Sequence, residues 1–485
     1  MANVRSNFLW NASYQVLRIA IPLVTVPYLT RVLSSGYLGI YSYTYTVANY
    51  FTLFCLLGVN QYGSRECAKA AQHGGDVLSR TFWSILFMQL ACGLVVTCVY
   101  VGYLLTTTGI VRICTAIWLM WVIAESFDVA WLFFGLEEFR VTTIRNALVK
   151  LATVVCILTL VNSDADLWKY CAITSASMLV SAVVLLPMIK AKVSWYLPSV
   201  SEVTKHFGPN LRLFAPIVAI SCYMQLDKVM LGAMAGMNEL AYYDNSEKIS
   251  TIPLAVIQAL GTVMLPRMSV YVERGNEEGV ARSISKALLF SNMMGWGFCF
   301  GIIGVAKEFV PLFFGAGYES CIILIRIMAP IIPIVAWSNV LGVQYLLPHE
   351  LDGDYLVSVV SGAALNVIVN SLAIPSYGAV GASIATVMAE IAVTGTQLWM
   401  VHRSLSIKRL LMQCVPFFIA GIVMCAAVMA FGEVLHGSVI YLFAQVLIGV
   451  VVFCLVLAGL LALFDRSLLS EIAGIVGRDK DNGIE

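Results

Sequence analysis

Apolar segments of about 20 residues recur along the whole chain, separated by short polar stretches. A helix of about 20 apolar residues crosses the hydrocarbon core of a bilayer, which is roughly 30 Å thick. With 60% hydrophobic and only 12% charged residues among 485 positions, the chain carries more apolar surface than a soluble core could bury. The sequence therefore predicts an all-α integral membrane protein of about fourteen transmembrane helices.

The longest polar stretch, residues 190–209, divides the predicted spans into six and eight. The predicted spans are 6–33, 37–59, 79–105, 110–134, 141–161, 166–189, 210–234, 240–265, 281–306, 320–347, 353–373, 377–402, 408–432 and 438–464. We expect residues 1–189 to form an N-terminal six-helix lobe, 190–209 a cytoplasmic linker and 210–403 a C-terminal six-helix lobe. Residues 404–464 then supply two additional transmembrane helices, and 465–485 a cytoplasmic tail. A faint echo of Leu17-Arg18 in Leu211-Arg212 is consistent with a repeat.

Lysine and arginine are distributed unevenly between the two sides of the predicted bundle. With the N-terminus inside, about 21 of the 29 fall on the cytoplasmic side. We therefore expect a multi-pass protein of the cytoplasmic membrane with both termini in the cytoplasm. The short outward loops leave no room for a catalytic head, and neither a Walker A loop nor a metal-binding signature occurs. The prediction is a protein that is not an enzyme, has no cofactor or metal, and binds no nucleic acid.

Several basic residues lie inside the predicted spans, where each charge costs about 2.5 to 3.5 kcal/mol on insertion scales. They are Arg18, Arg31, Lys228, Lys248 and Arg326. Guanidinium groups can hold phosphate oxygens bidentately, so these side chains are predicted to line a hydrated, cation-biased cavity suited to phosphate. Alternatively, they neutralise neighbouring carboxylates or extend outward to the membrane interface.

Tyrosines mark one face of the second predicted span. Tyr41 and Tyr45 are four residues apart, and Asn49 continues the same face. Aromatic rings with hydroxyl groups suit the faces of sugars, so these three are candidates for lining a glycan path. Tyrosine is also enriched at the interfaces of membrane proteins in general, which is the alternative explanation.

Acidic residues within the spans are candidates for charge pairing or for ion coupling. They are Asp227, Glu247, Glu390, Glu125 and Asp128. Glu125 and Asp128 are three residues apart and share a helix face. For these two, a place at the inner gate or an ion pair with Arg140 or Arg145 competes with cation binding.

Short motifs along nearly the whole chain carry a family resemblance. They include Pro27-Tyr28-Leu29-Thr30-Arg31, the segments 226–232 and 242–249, and 377–382 with the following Glu390. In their order and spacing they resemble Wzx-type oligosaccharide and polysaccharide flippases of the MOP (MATE-like) exporter superfamily. The resemblance implies two pseudo-symmetric six-helix lobes around a central cavity, with two further helices at the C-terminal end.

The resemblance also implies a function and its partners. A protein of this kind would move undecaprenyl-diphosphate-linked oligosaccharide repeat units from the inner to the outer leaflet for surface polysaccharide biosynthesis, by alternating access through a cationic cavity. Its partners would be that lipid, the phospholipid bilayer and a polysaccharide polymerase in the same membrane. A MATE-type drug or cation antiporter, which would favour an acidic cavity, is the alternative. A membrane glycan polymerase or ligase is a third, and it would need a sizeable outward loop.

Overall fold

The computed structural model describes residues 20–435 and 437–464, except for the side chains at 215, 216, 219, 222, 223, 259–263, 266, 267, 407, 409 and 464. Arg18 lies outside the described residues. All regular elements within them are helices, which confirms the predicted all-α class. Nine helical segments of this part are long and apolar enough to cross a membrane, while the total of about fourteen remains a prediction.

The chain folds as two compact units, Met1–Ala241 and Tyr242–Glu485. The helices of the first unit are α1 (Ala20–Val32), α2 (Ser35–Leu56), α3 (Val59–Ala71), α4 (Gly75–Thr106), α5 (Gly109–Ser126), α6 (Ala130–Gly135), α7 (Phe139–Leu160), α8 (Leu167–Ile189), α9 (Val200–Thr204) and α10 (Phe207–Met234). Helix α10, which the sequence assigned to the second lobe, packs on α2 here. The predicted lobe boundaries remain predictions.

Helix α11 (Met237–Glu273) begins in the first unit and continues into the second. The second unit also contains α12 (Glu277–Phe314), α13 (Ser320–Met328), α14 (Ile331–Ser338), a π-helical turn (Asn339–Leu346), α15 (Asp352–Val401), α16 (Ile407–Val434) and α17 (Val439–Phe464). Helices α12, α16 and α17 pack around buried side chains that include Leu289, Phe417 and Leu461. The two predicted C-terminal helices thus pack on α12.

A sharp kink divides α15 into two parts. At 1.5 Å per residue, a straight helix of 50 residues would be about 75 Å long, more than twice the hydrocarbon thickness. Gly378 has φ 52° and ψ −130°, a conformation open to glycine and strained for other residues. The turn is tight enough that a Cβ on Gly381 would lie 2.5 Å from the carbonyl oxygen of Ala373. The kink therefore separates the two spans predicted as 353–373 and 377–402.

The linker predicted at 190–209 has little regular structure apart from the short α9. Its helix begins at a capping box, in which the Ser199 hydroxyl accepts from the backbone N–H of Glu202 and the Glu202 carboxylate accepts from that of Ser199. Two residues after α9 ends, Nδ1 of His206 lies 2.7 Å from the hydroxyl of Tyr62. Burial, helped by the neighbouring Lys205, lowers the pKa of His206 to about 4, so the ring is neutral at pH 7.

Candidate functional site

The tyrosines on α2 belong to an aromatic cluster that joins three helices of the first unit. The Tyr41 ring stacks on Tyr170 of α8, with centroids 3.9 Å apart, and Tyr45 stacks on Trp121 of α5 at 5.0 Å. Trp118 meets both tyrosines edge-on. Both tyrosines are half-buried, so part of each side chain stays accessible. Their role in lining a glycan path remains a prediction.

Asn49, the third member of this face, connects α2 to α10. Its Nδ2 donates to Gln225 Oε1 at 3.0 Å. Gln225 is two residues before Asp227, which is only 2% exposed and accepts the backbone N–H of Lys228 at 2.7 Å. The described contacts therefore bring the polar face of α2 close to the part of α10 that carries a predicted anion and cation.

The predicted acidic pair lies where α5 ends, beside the break between α5 and α6. Glu125 Oε2 accepts the indole N–H of Trp121 at 3.0 Å. Asp128 Oδ1 accepts the backbone N–H of Ala130 at 3.0 Å and lies 3.9 Å from Nη1 of Arg145. Arg145 was one of the two arginines expected as partners. Its guanidinium also donates to the carbonyl of Ser181 at 2.6 Å, so this cation is fixed between helices.

Gln89, which the sequence does not mark as a site residue, stabilises the break between α5 and α6. The side chain is fully buried on α4, and its amide N–H groups donate to the carbonyl oxygens of Glu125, Ser126 and Asp128 at 2.9 to 3.2 Å. Its carbonyl oxygen accepts the indole N–H of Trp131 at 3.0 Å. The carbonyl oxygens left without helical partners at the end of α5 are thereby satisfied. In the sequence, the feature that could have indicated this role is the presence of the Gln89 amide within an apolar segment.

We expect Gln89→Leu to destabilise the protein, because it leaves these carbonyl groups and the Trp131 indole buried without this partner. Each buried unsatisfied group costs about 1–3 kcal/mol. The melting temperature of the purified protein in detergent should fall by several degrees. Gln61→Leu, at an exposed position on α3, is the matched control and should leave it unchanged. Equal melting temperatures for the two variants would contradict the role assigned to Gln89.

The predicted basic residues are spread over both units. In the first unit, Arg31 is exposed at the end of α1, and its Nη1 donates to the carbonyl of Pro27 at 2.6 Å. In the second, Lys248 forms an ion pair with Asp244 one turn earlier on α11, at 2.7 Å. Arg326 on α13 is half-buried, and its Nε donates to the carbonyl of Ile303 at 3.3 Å. Their common role in binding a diphosphate remains a prediction.

The remaining predicted acidic residues lie on two helices of the second unit. Glu247 on α11 and Glu390 on α15 are half-buried. Several amide side chains that were not predicted as site residues are more deeply buried than either carboxylate. Asn370 Nδ2 donates to Asn366 Oδ1 at 2.9 Å, and Gln397 Nε2 donates to the hydroxyl of Ser358 at 3.2 Å. These amide and hydroxyl groups give the buried surface of α15 polar side chains that carry no charge.

A close backbone approach within the first unit joins the start of α2 to the start of α11. A Cβ on Gly39 would overlap the backbone carbonyl of Met237. One turn earlier, the hydroxyl of Ser35 donates to Asn238 Oδ1 at 2.9 Å. This contact is called here the outer contact, because the orientation predicted from the sequence would put it on the outer side of the membrane; that orientation remains a prediction. The small residues at the start of span two were the only sequence signal.

A protein-family comparison decides the family. The model described as "Polysaccharide biosynthesis protein" matches residues 4–272, more than half of the chain. The chain belongs to the polysaccharide biosynthesis protein family. This membership and the fold confirm the predicted resemblance to the MOP exporter superfamily.

Relatives of this polysaccharide biosynthesis family member extend the comparison over most of its length. It is 23% identical over 407 residues to the protein named "Putative O-antigen transporter" from Escherichia coli (strain K12), covering 83% of this chain and 97% of the relative. Its fold is similar to the structure titled "Lipid II flippase MurJ, inward closed conformation", with a TM-score of 0.75, 12% identity, and coverage of 95% of this chain and 100% of that one. It is also similar to an inward-facing multidrug resistance MATE family transporter of the MOP superfamily, with a TM-score of 0.57, 13% identity, and coverage of 81% and 99%.

Proposed function

We propose that this protein is a flippase, which moves undecaprenyl-diphosphate-linked oligosaccharide units from the inner to the outer leaflet of the cytoplasmic membrane. The observation that carries the proposal is the alignment with the relative named "Putative O-antigen transporter" over 97% of that relative's length. Membership of the polysaccharide biosynthesis family supports it. On this proposal the protein performs transport, not catalysis, and hands its product to a polysaccharide polymerase in the same membrane.

The physical task of such a protein is to carry a polar headgroup past hydrocarbon. Sugar hydroxyls and phosphate oxygens lose their hydrogen bonds to water there, at a cost of several kcal/mol per unsatisfied group. The polyprenyl tail is stable in the same environment. A hydrated path with alternating access would remove the cost for the headgroup while the tail stays in lipid.

In this proposal the intramembrane cations receive the diphosphate. Arg18 is the first contact, because it lies near the middle of the predicted span 6–33, where a side chain can least easily reach the interface. Arg31, Lys228, Lys248 and Arg326 follow, and the half-buried Tyr41 and Tyr45 present ring edges to the sugars. The Lys248–Asp244 ion pair would exchange its carboxylate for phosphate during passage.

Coupling to an ion is not required by the energetics. The cell interior is negative, so the outward movement of an anion is favoured by about 2.3 kcal/mol per charge per 100 mV. Asp227, Glu247 and Glu390 remain the candidates if a proton or sodium ion contributes.

The test is Arg18→Ala. We expect this variant to insert normally and to abolish translocation, because the diphosphate loses its bidentate partner. Arg18→Lys should keep partial activity, since it retains the charge but not the fork of donors. The measurement is the fraction of lipid-linked saccharide accessible from outside in cells depleted of the native copy, with Arg403→Ala as a control at an exposed position. Normal export by the alanine variant would refute the phosphate role.

The drug or cation antiporter on the same fold is distinguished by the phenotype of depletion. Loss of a flippase leaves lipid-linked saccharide facing the cytoplasm. Loss of an antiporter raises drug sensitivity while the saccharide is exported normally. The second pattern would overturn the proposed function.

A further inference from the structure

We propose that a cavity between α11 and α12 is a docking site for the phosphate group of a membrane lipid. The cavity has a volume of about 500 Å³ and lies entirely within the second unit. The inference deepens the proposed function, on which it rests for the identity of the lipid, because a flippase must collect a phosphate-bearing lipid before moving it.

The charge pattern of α12 sets the depth of this cavity in the membrane. Residues 287–306 contain no charged side chain. At 1.5 Å per residue these 20 positions extend about 30 Å, the thickness of the hydrocarbon core. Lys286 therefore lies at the edge of the core, and Arg282 one turn further out. This is the level at which the phosphate groups of lipids lie.

The walls of the cavity match the two parts of such a lipid. Met264 and Phe290 are half-buried and give the deeper part an apolar lining. Arg282 and Lys286, four residues apart on one face of α12, and the hydroxyl of Ser283 line the part nearer the helix start. An apolar chain on one side and a phosphate on the other would satisfy both surfaces.

The existing ion pair at the cavity does not block it. Arg282 Nη2 contacts Glu278 Oε1 at 2.7 Å, but the two side chains are 66% and 83% exposed. Exposed pairs of this kind contribute little free energy, so a phosphate with two accepting oxygens can replace the carboxylate. Lys286 forms no ion pair with any residue that the structure describes. The cavity thus offers one cation held weakly and one without a carboxylate partner in the described part of the chain.

The experiment measures retention of defined lipids by the purified full-length chain in native mass spectrometry. The probes are undecaprenyl phosphate, dioleoyl phosphatidylglycerol and, without phosphate, dioleoylglycerol. We expect Arg282→Ala with Lys286→Ala to weaken retention of phosphate-bearing lipids by about tenfold for each cation removed, and to leave dioleoylglycerol unaffected. A control pair at exposed positions outside the cavity, Arg274→Ala with Arg403→Ala, should match the unmodified protein.

The outcomes distinguish an isoprenoid phosphate from the phosphate of any membrane lipid. They also distinguish failure of the docking site from failure of the proposed flippase function. A loss confined to undecaprenyl phosphate assigns the cavity to the isoprenoid lipid, and a loss for both probes assigns it to any lipid phosphate. Equal retention by the two double variants overturns the site. Glu278→Gln, which frees Arg282, should strengthen retention by about threefold and tests the site without removing a cation. If the unmodified chain retains these lipids through Arg282 and Lys286 but moves no lipid-linked saccharide in cells, the proposed function fails while the site stands.

Discussion

Joining Ser35 to Asn238 through a disulfide is expected to stop transport completely and reversibly. The Ser35 hydroxyl donates to Asn238 Oδ1 at 2.9 Å, so the two side chains are in direct contact and a disulfide between cysteines at these positions would span that contact. Alternating access requires each side of the membrane to open in turn. Ser35 belongs to the predicted N-terminal lobe and Asn238 to the predicted C-terminal lobe, so a covalent bond between them would hold the predicted outer side closed and prevent release of the cargo there.

The measurement is saccharide export by the Ser35→Cys, Asn238→Cys variant before and after oxidation, with the cross-link verified by mass spectrometry. Export should return on addition of a reductant. Each single cysteine variant, and the unmodified chain, should be unaffected by the same oxidant, because the twelve described native cysteines are free and mostly buried or half-buried. Full export by a completely cross-linked protein would show that this contact does not open during transport.

The sequence predicted the helical class well because span length follows from hydropathy alone. The break between spans 353–373 and 377–402 falls at the observed kink, where Pro375 and Gly378 mark a position that a regular helix does not favour. By contrast, the predicted span 320–347 is divided into α13, α14 and a π-helical turn. Pro330 and Pro333 occur in this segment, but the prediction from mean hydropathy does not detect a break where the residues on both sides are apolar.

The sequence indicates which charged residues lie within predicted spans, and which of them are neighbours on one helix. It does not indicate which side chains on different helices meet. The ion pair of Lys248 with Asp244 joins residues four apart on one helix and is accessible from sequence. The hydrogen bond of Asn49 with Gln225 joins residues 176 positions apart, so only tertiary structure reveals it. Gln89 was missed for a related reason, since its importance comes from the end of a helix that it contacts, not from its own charge.

Gly39→Val should also abolish transport, but by the opposite effect on the outer contact. Any Cβ at this position overlaps the backbone carbonyl of Met237, and a backbone atom cannot rotate away as a side chain would. The start of α2 must then separate from the start of α11, and the predicted outer side stays open. Closure of the outer side is needed before the inner side can accept cargo, so the transport cycle halts with the predicted outer side open. The disulfide between positions 35 and 238 prevents that same state.

The two variants can therefore be told apart although both stop export. In the Gly39→Val background, a cysteine at position 237, a half-buried position in the parent, should react with a membrane-impermeant maleimide about tenfold faster than in the parent, since the contact that shields it is lost. Gly102→Val is the matched control, because a Cβ there meets no atom within 4 Å. It should export normally and leave the labelling rate unchanged. Equal labelling rates in the Gly39→Val and Gly102→Val backgrounds would mean that the outer contact forms despite the added side chain, and that Gly39 does not determine closure.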